Sequence, residues 1–122
     1  MDRRAFDRVL ERALERIPPE FRQAMDNLEI LVEDWPDPGL MEDILGDRKA
    51  QAYGLFVGVP LTERGASDWG MPPTVIYIFR QPLLRDFPDR QDLIREVEIT
   101  LAHEIGHFMG FDEDTLTAYG YD

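Results

Sequence analysis

No cysteine occurs among the 122 residues of the chain. Disulfides are therefore excluded, and so is every thiolate metal site. The commonest structural zinc sites go with them, so any zinc ion would need imidazole and carboxylate ligands. Histidine is scarce too, with two in the whole chain. No run of about 18 apolar residues is present, which excludes a membrane-spanning helix. Positive charge is in short supply: 13 Lys and Arg face 25 Asp and Glu, for a formal net charge of −12. A surface this acidic repels the phosphates of nucleic acid and of anionic lipid, so neither is expected as a partner. A basic peptide is compatible with it, although good solvation alone explains the charge. The opening stretch MDRRAFDRVLERALERIPPEF is charged and lacks the apolar core of a signal peptide, so a cytoplasmic location is expected.

What the chain does have is enough apolar material, 43%, to fold, and a length that suits one domain over residues 1–122. Phe6, Val9, Leu10, Ala13, Leu14 and Ile17 recur at helical spacing and predict an amphipathic helix over 3–17. Pro18-Pro19 ends it and opens a short second helix through Met25. LEILVE, residues 28–33, reads as a strand, and the turn residues at 34–39 break it. One helical turn is expected at 40–45. YGLFVGV, 53–59, is a second strand, whose Gly54 and Gly58 mark bulges or close packing. A loop follows at 63–73. TVIYIF, 74–79, is the clearest strand. Residues 81–88 read as a connection, and 89–109 as one long helix closed by Gly110. The order helix, helix, strand, strand, strand, helix is an α+β arrangement with one small sheet.

The long helix carries His103-Glu104-Ile105-Gly106-His107, an H-E-x-x-H, and it uses both histidines of the chain. At 3.6 residues per turn the two imidazoles stand about 40° apart, one turn above the other. That spacing lets both reach one metal ion. Ile94, Val97, Leu101, Ile105 and Phe108 fall in a sector of about 80° roughly opposite them, so the histidine side is expected to face a cleft. Glu104 lies at the edge between these faces, where its carboxylate can reach a metal-activated water as general base. A match to this pattern by chance in a chain of this length is rarer than about 1%. Gly110 can reverse the chain through positive φ, and acidic residues follow it at once. The third-ligand position of an H-E-x-x-H-x-x-G-x-x pattern is Glu113, with Asp112 and Asp114 as open alternatives. Each bound imidazole is expected to donate its other nitrogen to an acceptor, with Glu96 and Thr100 as candidates. Tyr119 and Tyr121 read as ordinary terminal aromatics, one of which could instead hydrogen-bond an oxyanion.

Four blocks carry a resemblance. PPEFRQAMDNLEILVED, GLFVGVPLTER, TVIYIFRQPL and HEIGHFMGFDED are similar, in order, to successive blocks of the bacterial minimal zincin-like metallopeptidases, and together they span nearly the whole chain. The resemblance implies a compact α+β domain with a small mixed sheet of three to four strands. An N-terminal helix and the long C-terminal metal-binding helix would pack against it. It implies Zn2+ as cofactor, His103, His107 and Glu113 as ligands, Glu104 as the base, and TVIYIF as the edge strand that pairs with an extended substrate. Members usually show an aspartate then a glutamate after the glycine, whereas Asp112-Glu113-Asp114 stands here. Full metzincins continue into a Met-containing turn beneath the metal, and Thr115 to Asp122 are too few to supply one, so that lower wall is expected to be missing. The function these features imply is hydrolysis of peptides or unstructured protein segments. A non-catalytic metal-binding or interaction module of the same fold is the second reading. A monomer is compatible with the sequence.

Overall fold

The computed structural model describes residues 1–58 and 74–122. The loop expected at 63–73 and Val59 of the second expected strand lie outside them.

Helix α1, Arg3–Arg16, starts where the Asp2 carboxylate accepts the Ala5 N–H at 2.8 Å. Its buried stripe is Phe6, Val9 and Ala13. The double proline then turns the chain into α2, Pro19–Arg22, and a 3₁₀ segment, Gln23–Asn27. Strand β1, Leu28–Glu33, follows directly. Helix α3 spans Pro38–Leu45, two turns rather than the one expected. Asp37 caps it and Pro38 supplies a preset first position, so the apparent turn signal is a helix start. Strands β2, Gly54–Val57, and β3, Thr74–Phe79, complete the sheet. Helix α4, Arg80–Asp86, replaces the connection expected at 81–88. Pro82 falls in its first turn, where a backbone N–H would have no partner within the helix, so its lack of one costs nothing. Helix α5, Arg90–Met109, is capped by Asp89, and α6, Glu113–Tyr119, ends the described fold.

The sheet order is β1-β3-β2, with β1 parallel and β2 antiparallel to β3. It is thus a small mixed sheet in an α+β domain with helices from both ends of the chain, as expected. One expectation fails. TVIYIF is β3, the central strand, with Leu28–Glu33 on one side and Gly54–Val57 on the other. Both its hydrogen-bonding edges are used, so it cannot accept a peptide strand. Among the described residues β2, not β3, is the flank nearest α5 (below).

Side chains alternate across the sheet. Ile76 and Ile78 of β3 face α1 and α5 in the main core, with Phe6, Leu101 and Phe108. Leu55 and Phe79 face the other way and pack with Met41 of α3. Helix α5 runs through the centre. The expected stripe Ile94, Val97, Leu101, Ile105 and Phe108 is buried, and so are Leu93, Glu98, Ala102 and Gly106. Together these cover about two-thirds of the helix circumference. The remaining sector carries His103 and His107, each half-buried.

Candidate metal centre

The last two turns of α5 bring the two imidazoles together, with ring centroids 4.4 Å apart and planes at 78°. Helix α5 then stops at Gly110, whose φ of 88° is left-handed. The Gly110 N–H donates to the His107 carbonyl at 3.0 Å and the Phe111 N–H to the Gly106 carbonyl at 2.9 Å, which closes the helix end. A side chain at position 110 would strain this turn. Asp112 then caps α6 by accepting the Thr115 N–H at 2.8 Å, and this bonding holds its carboxyl below the usual range. Glu113 is thereby the first residue of α6 and returns over the histidines.

How closely α6 can return depends on Gly106. A Cβ there would run into the Leu116 side chain, which is fully buried against it. The second variable position of the motif is thus where α6 touches α5.

The result is a three-donor cluster. Ligand atoms of His103, His107 and Glu113 all lie within 4.8 Å of one another. Glu113 Oε1 sits 3.0 Å from His107 Nε2 and 3.6 Å from His103 Nε2. Donors bound at about 2 Å to a tetrahedral zinc stand about 3.3 Å apart, and the two distances from Glu113 bracket that value. Of the acidic trio, Asp112 is engaged as the α6 cap and Asp114 lies outside the cluster.

The chemistry of the donors also suits a cation. His103 Nδ1 lies 2.7 Å from the Tyr121 carbonyl oxygen. A carbonyl can only accept, so Nδ1 carries a proton, and in the neutral ring that leaves the Nε2 lone pair toward the cluster. His107 Nδ1 lies 3.3 Å from Glu104 Oε2. The Glu104 hydrogen bond, followed by that to Glu113, pushes the His107 pKa up to about 9 against the opposing effect of burial. Two carboxylates around one ring thus favour positive charge on that ring.

The outer partners differ from those expected. Glu96 and Thr100 hydrogen-bond neither imidazole; the partners are the Tyr121 carbonyl and Glu104. Nor do the tyrosine hydroxyls point at the cluster. Tyr119 donates to Glu20 at 3.1 Å, and Tyr121 to the buried Glu98 at 2.9 Å. Neither contact was legible in the sequence, since both join residues far apart in it and Glu98 looks like any polar helix residue.

A cavity of about 220 Å³ opens beside the cluster, walled by Tyr53 and Gly54 at the start of β2 and by Glu96, Thr100, His103 and Glu104 of α5. Gly54 lets β2 approach this closely, since a Cβ would stand 2.7 Å from Thr100 Cγ2. A larger groove, about 820 Å³, lies elsewhere between Trp35, Asp37 and Tyr77 and holds none of these residues.

A comparison with family models matches residues 25–121 to the zincin-like metallopeptidases. The chain belongs to the zincin-like metallopeptidase family. The match runs from the 3₁₀ segment before β1 to Tyr121, and so contains every residue of the cluster. Membership implies a metal cofactor, usually zinc. A comparison with curated proteins finds no match. Among the described residues of this zincin-like chain, no helix is long and apolar enough to cross a membrane.

Proposed function

We propose that this zincin-like protein is a zinc-dependent peptidase. The observation that carries the reading is the convergence of two imidazole Nε2 atoms and one carboxylate, with Glu104 beside them at the mouth of a cavity. His103 and His107 would hold the ion through Nε2 and Glu113 through Oε1. Zinc held there would supply the Lewis acidity that activates a water and polarises a scissile carbonyl.

Glu104 supplies the proton chemistry. Its side chain is 15% exposed, and Oε1 has no hydrogen-bond partner among the described residues. Oε1 takes a proton from the attacking water and passes it to the leaving amine, while Oε2 stays against His107. An extended peptide lies along the β2 side of the cavity rather than along β3. The net charge of −12 favours substrates that are basic, whether peptides or unstructured segments.

The test is Glu104→Gln. The variant is expected to keep one zinc per chain and to lose peptide hydrolysis by at least about 100-fold. Equal turnover by parent and variant rejects the base role. A second reading has one observation in its favour. Glu104 Oε2 already accepts from His107 Nδ1, which is what a carboxylate does when it merely orients a metal ligand. On that reading the protein is a non-catalytic zincin-fold module. Zinc-loaded parent that cleaves nothing in a broad peptide library establishes it.

A further inference from the structure

Glu98 is a glutamate in the middle of α5, 4% exposed, and the mechanism above has no use for it. Burying a carboxylate is costly unless it is paired and hydrogen-bonded. Here Arg95 one turn earlier donates to Oε2 at 3.0 Å, and Arg16 of α1 stands 3.0 Å from Oε1 as an ion pair without hydrogen-bond geometry. The third partner is the Tyr121 hydroxyl, which donates to Oε2 at 2.9 Å. Two arginines already balance the charge, so the phenol is not needed for neutrality. Its effect falls on Tyr121.

Tyr121 is itself held on every side. It is 5% exposed, its ring meets Phe21 edge-on at 5.7 Å, and its N–H donates to the Leu116 carbonyl at 2.9 Å. Gly120, with φ 84°, turns the chain back to put it there. With the ring, hydroxyl and N–H fixed, the remaining polar group is the carbonyl, and it points at His103 Nδ1.

We propose that Glu98 and Tyr121 are positioning residues for the metal centre: the Glu98 carboxylate anchors the Tyr121 phenol, and the anchored Tyr121 carbonyl holds the proton of His103 on Nδ1 so that Nε2 is free to bind a cation. This rests on the reading of His103 as a ligand. It assigns Glu98 a role at a site that its own side chain does not touch.

The test reads the His103 tautomer in metal-free protein from ring nitrogen shifts, at one pH where the ring is neutral. The parent is expected to carry Nδ1–H, with a scalar coupling across the bond to the Tyr121 carbonyl carbon. Tyr121→Phe keeps the ring and loses only the phenol oxygen. It is expected to admit the Nε2–H tautomer and to weaken zinc binding by about 10-fold. Glu98→Met removes the anchor from the other side; its arginine partners are roughly half-exposed and can turn to water. It is expected to give the same shift, and the double variant no more than either single one. If one variant does not fold, the other carries the same comparison. A parent ring protonated on Nε2 overturns the assignment, as does a folded variant with tautomer and zinc affinity unchanged. Because the tautomer is read without metal, its failure is a separate result from a failure to bind zinc.

Discussion

Three donor atoms meet at the proposed site, and Glu113 supplies the one carboxylate among them. Replacing Glu113 by Ala leaves His103 and His107 without the carboxylate that faces both Nε2 atoms. Zinc affinity, measured by competition with a chelator dye, is expected to fall by more than about 10-fold. Asp112, one residue earlier, makes the opposite prediction. Its carboxylate caps α6 rather than joining the cluster. Asp112→Ala should lower the melting temperature of the metal-free protein while zinc stoichiometry stays at one. A larger loss of zinc from Asp112→Ala than from Glu113→Ala reverses the assignment. Tyr121 sets an alkaline limit. Burial and the Glu98 hydrogen bond push its hydroxyl up to about 12, from an ordinary value of 10. The neutral phenol therefore contributes stability that is fully present below pH 10 and is lost as pH rises from 10 toward 12. Tyr121→Phe should flatten that part of the stability profile, as followed by thermal melts across the alkaline range.

At the scale of elements, the site is a meeting of two helices, and Gly106 sets their distance. Gly106→Ala forces Leu116 out of its packed position. A stability loss of about 1–3 kcal/mol is expected from the overpacking, together with weaker zinc binding as Glu113 moves with α6. Unchanged affinity in a folded Gly106→Ala chain contradicts this coupling. The elements also show what could be read in advance. Helix α5 and strands β1 and β3 were legible because their apolar periodicity is long or unbroken, and the H-E-x-x-H spacing located both imidazoles. Three helices were not. Helix α3 was half seen, because Asp37-Pro38 serves equally as a turn or a helix start. Helix α4 has no side-chain cap and is set by tertiary contacts, such as Gln81 N–H to the Asp34 carbonyl at 3.0 Å. Helix α6 buries only Leu116, too little for any periodicity to show. The edge-strand error has the same origin. Strand order depends on pairings between distant segments, and β3 is the most apolar strand because it is central. The width of the buried face of α5 was likewise underestimated, since α6 and Tyr121 cover a side that sequence periodicity alone left open.

For the whole molecule, the excess of acid is the dominant property. A charge of −12 attracts cations over distances set by salt. If the protein cleaves basic peptides, kcat/KM for a cationic peptide should exceed that for its charge-neutral analogue at low ionic strength, and the advantage should shrink as salt is raised. An advantage that is independent of salt places the discrimination in local pockets instead. The fold supports the site economically. One helix buried on most of its circumference leaves a single sector facing outward, and that sector holds both histidines. The zinc K-edge X-ray absorption spectrum of protein loaded with one equivalent of the metal tests the central claim most directly. The account predicts two imidazole nitrogens and at least one carboxylate oxygen at about 2.0–2.2 Å. A shell of oxygens alone, with no imidazole scattering, contradicts it.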